Sequence, residues 1–122
     1  MLNLNSIMIG TIQLKVLAKF YAGVFGKAPD MDEGEWSGWL VGKTFFSVGQ
    51  HSDVHGPAKE PARMMFNLET SDVKGEFERI KALGATVIKE PYAMEGEQQM
   101  WIATFADPDG NYFQLMSPWK EQ

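Results

Sequence analysis

Three side chains of this sequence are the first candidates for acid–base or metal chemistry, and each also has a structural explanation. His51 and His55, in the segment HSDVH, are the only two histidines of the chain. The prolines and glycines around them predict a loop, where exposed histidines are common. Glu69 ends a strand-like segment and could act as a general base if it were desolvated. A carboxylate at the end of a strand is more often solvated or paired, so both interpretations remain open.

Three further charged residues raise the same choice. Arg63 could pair with an anionic ligand if its side chain points inward. Asp107 and Asp109 lie in the segment DPDGN, where Pro108 suits the second position of a type I turn and Gly110 tolerates a positive φ. The turn therefore accounts for both aspartates without a catalytic role. The chain has no cysteine, so disulfides and thiolate chemistry are excluded.

Composition indicates an ordinary globular domain. The chain has 122 residues, of which 44% are hydrophobic and 22% charged, as expected for one domain with a packed core. Its formal net charge is −5 and no basic stripe is present, so nucleic acid is not an expected partner. No apolar segment is long enough to span a membrane, and the start of the chain lacks a signal-peptide pattern, so we expect a cytoplasmic protein without membrane contacts.

Apolar periodicity predicts the same order of elements twice. A strand (NSIMIGTI), a helix (QLKVLAKFYAGVFG) and strands at about 35–41 and 43–49 are followed by a second strand (RMMFNLE) and helix (SDVKGEFERIKALG). Ser71 is the expected cap of the second helix, and the strands ATVIKEP, QMWIATFA and NYFQLMSP complete the order. An offset of 59 residues aligns the two strand–helix pairs, and an offset of 68 aligns GKTFF with GNYFQ.

This internal repeat predicts an α+β fold built from two tandem βαβββ modules. We place the first module at about 1–55 and the second at about 62–118, within a single domain of 1–122. Ile7, Ile9, Phe66 and Leu68 would face the helices. Residues of opposite parity would line a cavity if the two sheets curve toward each other.

The repeated unit and the segments LKVLAKFYAGVFG, DVKGEFERIKALGATV and FADPDGNYFQLMSP resemble the vicinal oxygen chelate superfamily. This superfamily includes glyoxalase I, extradiol dioxygenases, and fosfomycin- and bleomycin-resistance proteins. The resemblance covers nearly the whole chain and implies a cupped mixed sheet of the glyoxalase/bleomycin-resistance type. It also implies a homodimer, because members of the superfamily commonly pair modules within a dimer.

The resemblance further implies where a divalent ion would bind in this chain. Metal-dependent members use His, Glu and Gln on their first, fifth and eighth strands, and these positions fall on Ser6, Met65 and Gln114. The fourth-strand position, the repeat mate of Gln114, falls on Phe46. These side chains offer neither an imidazole nor a carboxylate, which divalent ions prefer. We therefore expect no metal ligands and no other cofactor.

We expect a pocket for a small hydrophobic or aromatic molecule, and the same side chains could alternatively be core that fills the cup. The expected pocket residues are Ser6, Met8, Trp39, Phe46, Met65, Asn67, Trp101, Tyr112, Gln114 and Met116. The leading hypothesis is a small-molecule-binding protein of the glyoxalase and bleomycin-resistance type without the usual metal. One alternative is a glyoxalase-like lyase or isomerase, or a dioxygenase-like enzyme, with a displaced metal site or Glu69 as general base. The other is a non-catalytic scaffold.

Overall fold

The computed structural model describes residues 1–95 and 100–119. The chain forms two compact units, 1–56 and 57–122. The first unit contains a helix and a four-stranded sheet with the strand order β1-β4-β3-β2. Strands β1 and β4 run parallel, and β4, β3 and β2 pair antiparallel. The elements of this unit are β1 (Ser6–Thr11), α1 (Leu14–Phe25), β2 (Met31–Asp32), β3 (Trp36–Val41) and β4 (Thr44–Gln50).

The second unit repeats this order after a short 3₁₀ helix at Pro61–Arg63. Its sheet has the order β5-β8-β7-β6, again with one parallel pair, β5 and β8. The elements are β5 (Phe66–Glu69), α2 (Val73–Ala82), β6 (Thr86–Ala93), β7 (Trp101–Ala106) and β8 (Tyr112–Met116). The predicted α+β class with two βαβββ modules is therefore confirmed. Neither helix of the described residues is long and apolar enough to cross a membrane.

In the first unit, the core lies between α1 and one face of its sheet. Leu17 and Tyr21 of α1 are fully buried, as are Trp39 and Val48 on the strands. The ring of Tyr21 lies 4.7 Å from that of Phe46, measured between centroids. The three- and four-residue spacing of the apolar residues in α1 directs them to one side, which is the side that meets the sheet.

The core of the second unit is built in the same way on α2. Phe77 stacks on Phe105 with a centroid separation of 5.0 Å, and Phe105 stacks on Phe113 at 5.6 Å. Phe66 on β5 continues this stack on the other side of Phe113, at 5.7 Å. Each helix therefore covers one face of its own sheet, and we call the opposite face of each sheet its uncovered face.

The start of α2 differs from the sequence prediction. Asp72, and not Ser71, is the N-cap residue, and its carboxylate accepts a hydrogen bond of 3.0 Å from the backbone N–H of Gly75. The hydroxyl of Thr70 in turn accepts from the N–H of Asp72. Aspartate is one of the strongest N-cap residues, and the two bonds fix the helix start one residue later than we expected.

The turn between β7 and β8 has the predicted geometry. Gly110 has a φ of +83°, and the buried carboxylate of Asp107 accepts from the backbone N–H groups of Asp109 and Asn111 at 2.9 and 3.0 Å. The side-chain amide of Asn111 donates to the same carboxylate. Asp107 therefore stabilises the turn, as its sequence context predicted.

The strand registers correct the second internal alignment by one residue. Phe46 pairs with Ile7 and faces α1, whereas its counterpart Phe113 pairs with Phe66 and faces α2. Phe46 thus corresponds to Phe113, and Gln114 corresponds to Ser47. The offset of 68 was wrong for these strands because it aligned the two turn glycines, although Gly42 lies four residues before Phe46 and Gly110 only three residues before Phe113. A shift of one residue moves every side chain of a strand to the other face.

Candidate functional site

Three polar side chains lie in register across the uncovered face of the second sheet. Gln114 of β8 is paired with Asn67 of β5 on one side and with Thr104 of β7 on the other. All three have the parity opposite to the stacked phenylalanines, so they point away from α2. Asn67 and Gln114 were predicted from the sequence to lie on this face, and Thr104 was not.

The amide of Gln114 is oriented with its nitrogen toward Thr104. Its Nε2 donates to the hydroxyl oxygen of Thr104 at 3.0 Å. Within the part of the chain that the structure describes, its Oε1 accepts no hydrogen bond. The side chain is half-buried, so a carbonyl acceptor is presented at the surface of the sheet in surroundings that are only partly open to water.

Apolar side chains flank this amide along β8. Met116, two residues beyond Gln114, is buried with Met100 and Ile102. Tyr112, two residues before it, is half-buried and lines a depression of about 310 Å³. The other residues lining this depression are Glu60, Pro61, Ala62 and Arg63. Met65 directly precedes β5, and the strand alternation gives it the parity of Asn67; its side chain is 42% exposed.

The uncovered face of the first sheet carries Ser6, Met8 and Ser47. Met8 of β1 is paired with Ser47 of β4 and is 61% exposed. Ser6 donates a hydrogen bond of 2.9 Å to the side-chain carbonyl of Asn5. Ser6 and Met8 therefore have the predicted parity.

An aromatic pair on the same face was missing from the list of expected site residues. Trp36 and Phe45 lie edge to face, with centroids 6.2 Å apart, over Gly38. Because Gly38 has no side chain, the ring of Phe45 can lie directly on the strand at that position. Strand parity identifies these two rings only when the register is known, and the alignment with an offset of 68 placed Phe46 instead of Phe45 on this face.

Three of the expected pocket residues lie on the helix-covered faces instead. Trp39 is fully buried, and its Nε1 donates to the backbone carbonyl of Lys27. Phe46 packs against Tyr21 of α1. Trp101 has the parity of Phe105, and Lys74 of α2 places its Nζ 3.9 Å from the centroid of the Trp101 ring.

These positions correct the sequence assignment. Trp39 and Phe46 belong to the core of the first unit, and Trp101 belongs to the face that α2 covers. The fourth-strand counterpart of Gln114 is Ser47 and not Phe46.

The side chains at the expected ligand positions do not fit a divalent ion. Ser6, Ser47 and Met65 contribute hydroxyl or thioether groups, and Gln114 contributes a neutral carbonyl. Borderline and hard divalent ions in proteins require imidazole, thiolate or carboxylate ligands for stable binding. In residues 1–95 and 100–119, no three His, Asp or Glu side chains are grouped so that they could hold a metal.

The other candidates from the sequence are not assembled into a catalytic group. His51 accepts a hydrogen bond at Nδ1 from the backbone N–H of Asp53, 3.1 Å away, within its loop. His51 and His55 are both exposed. Glu69 is paired with Met116 and has the parity of the uncovered face, but it too is exposed. Glu69 therefore lacks the burial that would desolvate a general base at this position.

Comparison with known proteins assigns the family. The sequence model of the glyoxalase-like domain family matches residues 6–116 of the chain. This chain belongs to the glyoxalase-like domain family. The assignment confirms the resemblance to the vicinal oxygen chelate superfamily that the sequence indicated. No curated protein matches the chain significantly.

Solved structures show that this glyoxalase-like fold is shared at low sequence identity. A glyoxalase-related enzyme from Fulvimarina pelagi is 19% identical, with a TM-score of 0.77 over 97% of this chain and 89% of the other. A glyoxalase/bleomycin resistance protein/dioxygenase family enzyme from Burkholderia phytofirmans is 23% identical, with a TM-score of 0.75 over 95% and 98%. A glyoxalase/bleomycin resistance protein from Catenulispora acidiphila is 15% identical, with a TM-score of 0.71 over 95% and 99%. At these identities the likeness concerns the fold alone.

Proposed function

We propose that this glyoxalase-like protein binds a small hydrophobic or aromatic molecule against the uncovered face of its second sheet, without the usual divalent ion. The observation that carries the proposal is the amide of Gln114. Thr104 holds its nitrogen, so its oxygen is available to a ligand at the strand position where metal-dependent members of the superfamily place a carboxylate.

The chemistry of an amide oxygen determines what it can recognise. It accepts a hydrogen bond from a hydroxyl or N–H group but supplies no negative charge to a cation. A bond of this kind contributes about 1 kcal/mol when both partners are matched, and its main effect is to orient the ligand. Tyr112 on one side supplies apolar contact surface of the kind that most small-molecule sites rely on, and the buried Met116 lies on the other side. The expected ligand therefore has an apolar body and at least one donor group.

Metal content tests the first part of the proposal. Elemental analysis of the purified protein should show no stoichiometric divalent metal, and calorimetric titration with Ni²⁺, Mn²⁺, Fe²⁺ and Zn²⁺ should give no binding heat. The variant Gln114→Glu restores a carboxylate at this position as a matched comparison. One tightly bound ion per wild-type chain would contradict the proposal and direct the search to His51, His55 and nearby carboxylates.

Ligand binding tests the second part. A panel of aromatic compounds with and without donor groups should raise the melting temperature of the wild-type protein, and only the donor-bearing compounds should lose affinity in Gln114→Leu. The expected loss is about five- to tenfold, which corresponds to one hydrogen bond. Equal affinities of wild type and Gln114→Leu for every compound would show that Gln114 does not bind the ligand. A panel without any binder would favour the scaffold hypothesis.

The enzymatic alternative makes a different prediction from the same samples. Glu69 lies on the same face as Gln114, so a lyase or isomerase that uses it as a base would lose turnover in Glu69→Gln while ligand affinity stayed nearly constant. If the protein only binds its ligand, we expect no turnover in wild type or in Glu69→Gln, and the same ligand affinity in both. Turnover that disappears in this variant would establish the enzyme and reject simple binding.

A further inference from the structure

The depression beside Tyr112 contains hydrogen-bond donors that the protein itself leaves largely unused. Arg63 donates from Nη2 to the carboxylate of Glu60 at 2.7 Å. Within the described residues, this is the only side-chain hydrogen bond of Arg63, and the hydroxyl of Tyr112 makes none. A guanidinium presents several N–H donors in a planar fork. Most of the donors of Arg63 are therefore available at the same depression as the Tyr112 hydroxyl.

The Arg63–Glu60 ion pair is easily exchanged. The two side chains are 71% and 73% exposed, and an ion pair at such exposure is screened by water and contributes little to stability. A carboxylate from a ligand can take the place of Glu60 and form two parallel bonds with the guanidinium, a stronger arrangement than the single bond present here.

The depression is open on its solvent side, and its volume suits a small ligand. Its volume of about 310 Å³ is at the lower end of the range for small-molecule sites, about 300–1,000 Å³. Pro61, Ala62 and the ring of Tyr112 provide apolar surface beside the charged group. A single aromatic ring with one anionic substituent matches this combination of size and chemistry.

Tyr112 connects the depression to the amide of Gln114. The two residues are separated by one position on β8 and have the same parity, so their Cα atoms lie about 7 Å apart on one face. A ring that lies against Tyr112 and runs along β8 from Arg63 brings its opposite substituent to Gln114. A hydroxyl or amino group there would donate to Oε1.

We propose that Arg63 and Tyr112 form an anion subsite and that the ligand class is a small aromatic carboxylate with a hydroxyl or amino group on the far side of the ring. This inference deepens the proposed function and rests on it. It assigns the charged end of the ligand to the 3₁₀ helix and the donor end to Gln114.

The test uses 4-hydroxybenzoate as the probe and 4-hydroxybenzamide, its neutral counterpart, as the matched control. Affinities for the full-length protein are measured by ligand-observed NMR titration. Wild type should bind the carboxylate at least tenfold more tightly than the amide. Arg63→Gln should remove this preference and leave the affinity for the amide unchanged, and an exposed side chain of this kind can be replaced without loss of folding.

Glu60→Gln provides a variant with the opposite expected effect. Removing the carboxylate of Glu60 frees the guanidinium and removes a like charge, so 4-hydroxybenzoate should bind several-fold more tightly. Tyr112→Phe should weaken the binding of the carboxylate and retain the ring contact. Weaker binding of 4-hydroxybenzoate in Glu60→Gln would overturn the anion subsite.

The outcomes separate this inference from the proposed function. If both probes bind equally in wild type and Arg63→Gln, and Gln114→Leu weakens both, the anion subsite is overturned and the proposed function stands. If Arg63→Gln abolishes the preference for the carboxylate and Gln114→Leu changes nothing, the subsite stands and the role of Gln114 is overturned. If neither probe nor any neutral aromatic compound binds, both are overturned.

Discussion

Asp30 shows how one exposed carboxylate can connect two elements of the first unit. Lys27, just after α1, donates from Nζ to Asp30 at 2.8 Å and to the backbone carbonyl of Leu40 on β3 at 2.9 Å. The backbone N–H of Leu40 donates to the same oxygen of Asp30 at 2.7 Å. The hydrogen bond from Lys27 and then that from Leu40 hold the pKa of Asp30 below its ordinary value of 3.8.

This lowered pKa predicts a pH-dependent contribution to stability. The unfolded state takes up a proton at Asp30 at a higher pH than the folded state does, so the stabilisation is present above pH 3.8 and is lost as the pH falls through the folded pKa. Asp30→Asn should therefore lower the urea midpoint at pH 7, and its difference from wild type should shrink at pH 3. Asp53→Asn, which removes a carboxylate without an ion pair among the described residues, serves as the control. A difference that is the same at both pH values would contradict this account.

At the scale of elements, helix propensity does not explain why position 75 of α2 is a glycine, because glycine is disfavoured in helices. Its contact with the helix cap does. A Cβ at this position would overlap the Oδ2 atom of Asp72 and lie 2.7 Å from its Cγ and 3.0 Å from its Oδ1. The residue in the first turn is thus small because the capping carboxylate occupies the adjacent space.

A double-mutant cycle tests this competition in α2. Alanine in place of glycine in a helix is expected to stabilise by about 1 kcal/mol, and loss of an aspartate cap costs about 1 kcal/mol. Gly75→Ala should consequently be near neutral in the wild type and stabilising by about 1 kcal/mol in Asp72→Ala. Urea denaturation of the four proteins gives the coupling free energy. An equal gain in both backgrounds would show that the cap and the methyl group do not compete.

Gly38 in β3 has a comparable role on the uncovered face of the first sheet. An added Cβ would overlap the ring of Phe45 and lie 3.2 Å from Trp36. Gly38→Ala should displace these rings, lower the free energy of unfolding by about 1–3 kcal/mol and alter the tryptophan fluorescence. Gly56→Ala, where nothing lies within 4 Å of the added atom, should change neither. Unchanged fluorescence in Gly38→Ala would contradict the packing of the pair.

The two modules, their element order and the turn chemistry at Asp107 could be predicted from the sequence, because each depends on local periodicity or turn residues. The sheet faces on which the candidate residues lie could be predicted only in part. Parity placed Asn67 and Gln114 correctly, since both follow from the apolar alternation of their strands. Trp39 and Phe46 were misplaced because large aromatic side chains suit a ligand pocket and a core equally well, and only the strand register separates the two.

The role of Thr104 and the depression at Arg63 could not be predicted. Both depend on residues that are distant in sequence, and neither leaves a periodic signal. Thr104 is recognised only from its pairing with Gln114 across β7 and β8, and Arg63 only from the position of the 3₁₀ helix beside Tyr112.

At the scale of the whole molecule, we propose that the chain forms a homodimer, as the family resemblance implies. Large exposed apolar side chains give a physical motive for association: Leu2 is 98% and Leu4 81% exposed, and Leu40 is 51% exposed. Sedimentation equilibrium should give twice the chain mass of 13.7 kDa, and the dimer should persist at high salt because its contacts would be mainly apolar. A mass of one chain over the whole micromolar range would reject the dimer.

The second hairpin has five residues (107–111) between its last paired positions and the first has two (42–43), and this difference has a consequence for how the two halves of the gene can recombine. β3 and β4 pair up to Val41 and Thr44, whereas β7 and β8 pair up to Ala106 and Tyr112 across a longer turn. A recombination crossover inside either turn would join the first strand of one hairpin to the second strand of the other. Because the two turns differ in length, the strand register would shift, which would expose a core phenylalanine and bury polar side chains. Crossovers at the outer ends of the hairpins carry each turn with its own strands and preserve both faces. The hairpin, with its turn included, is therefore the smallest segment that can be exchanged between the two halves.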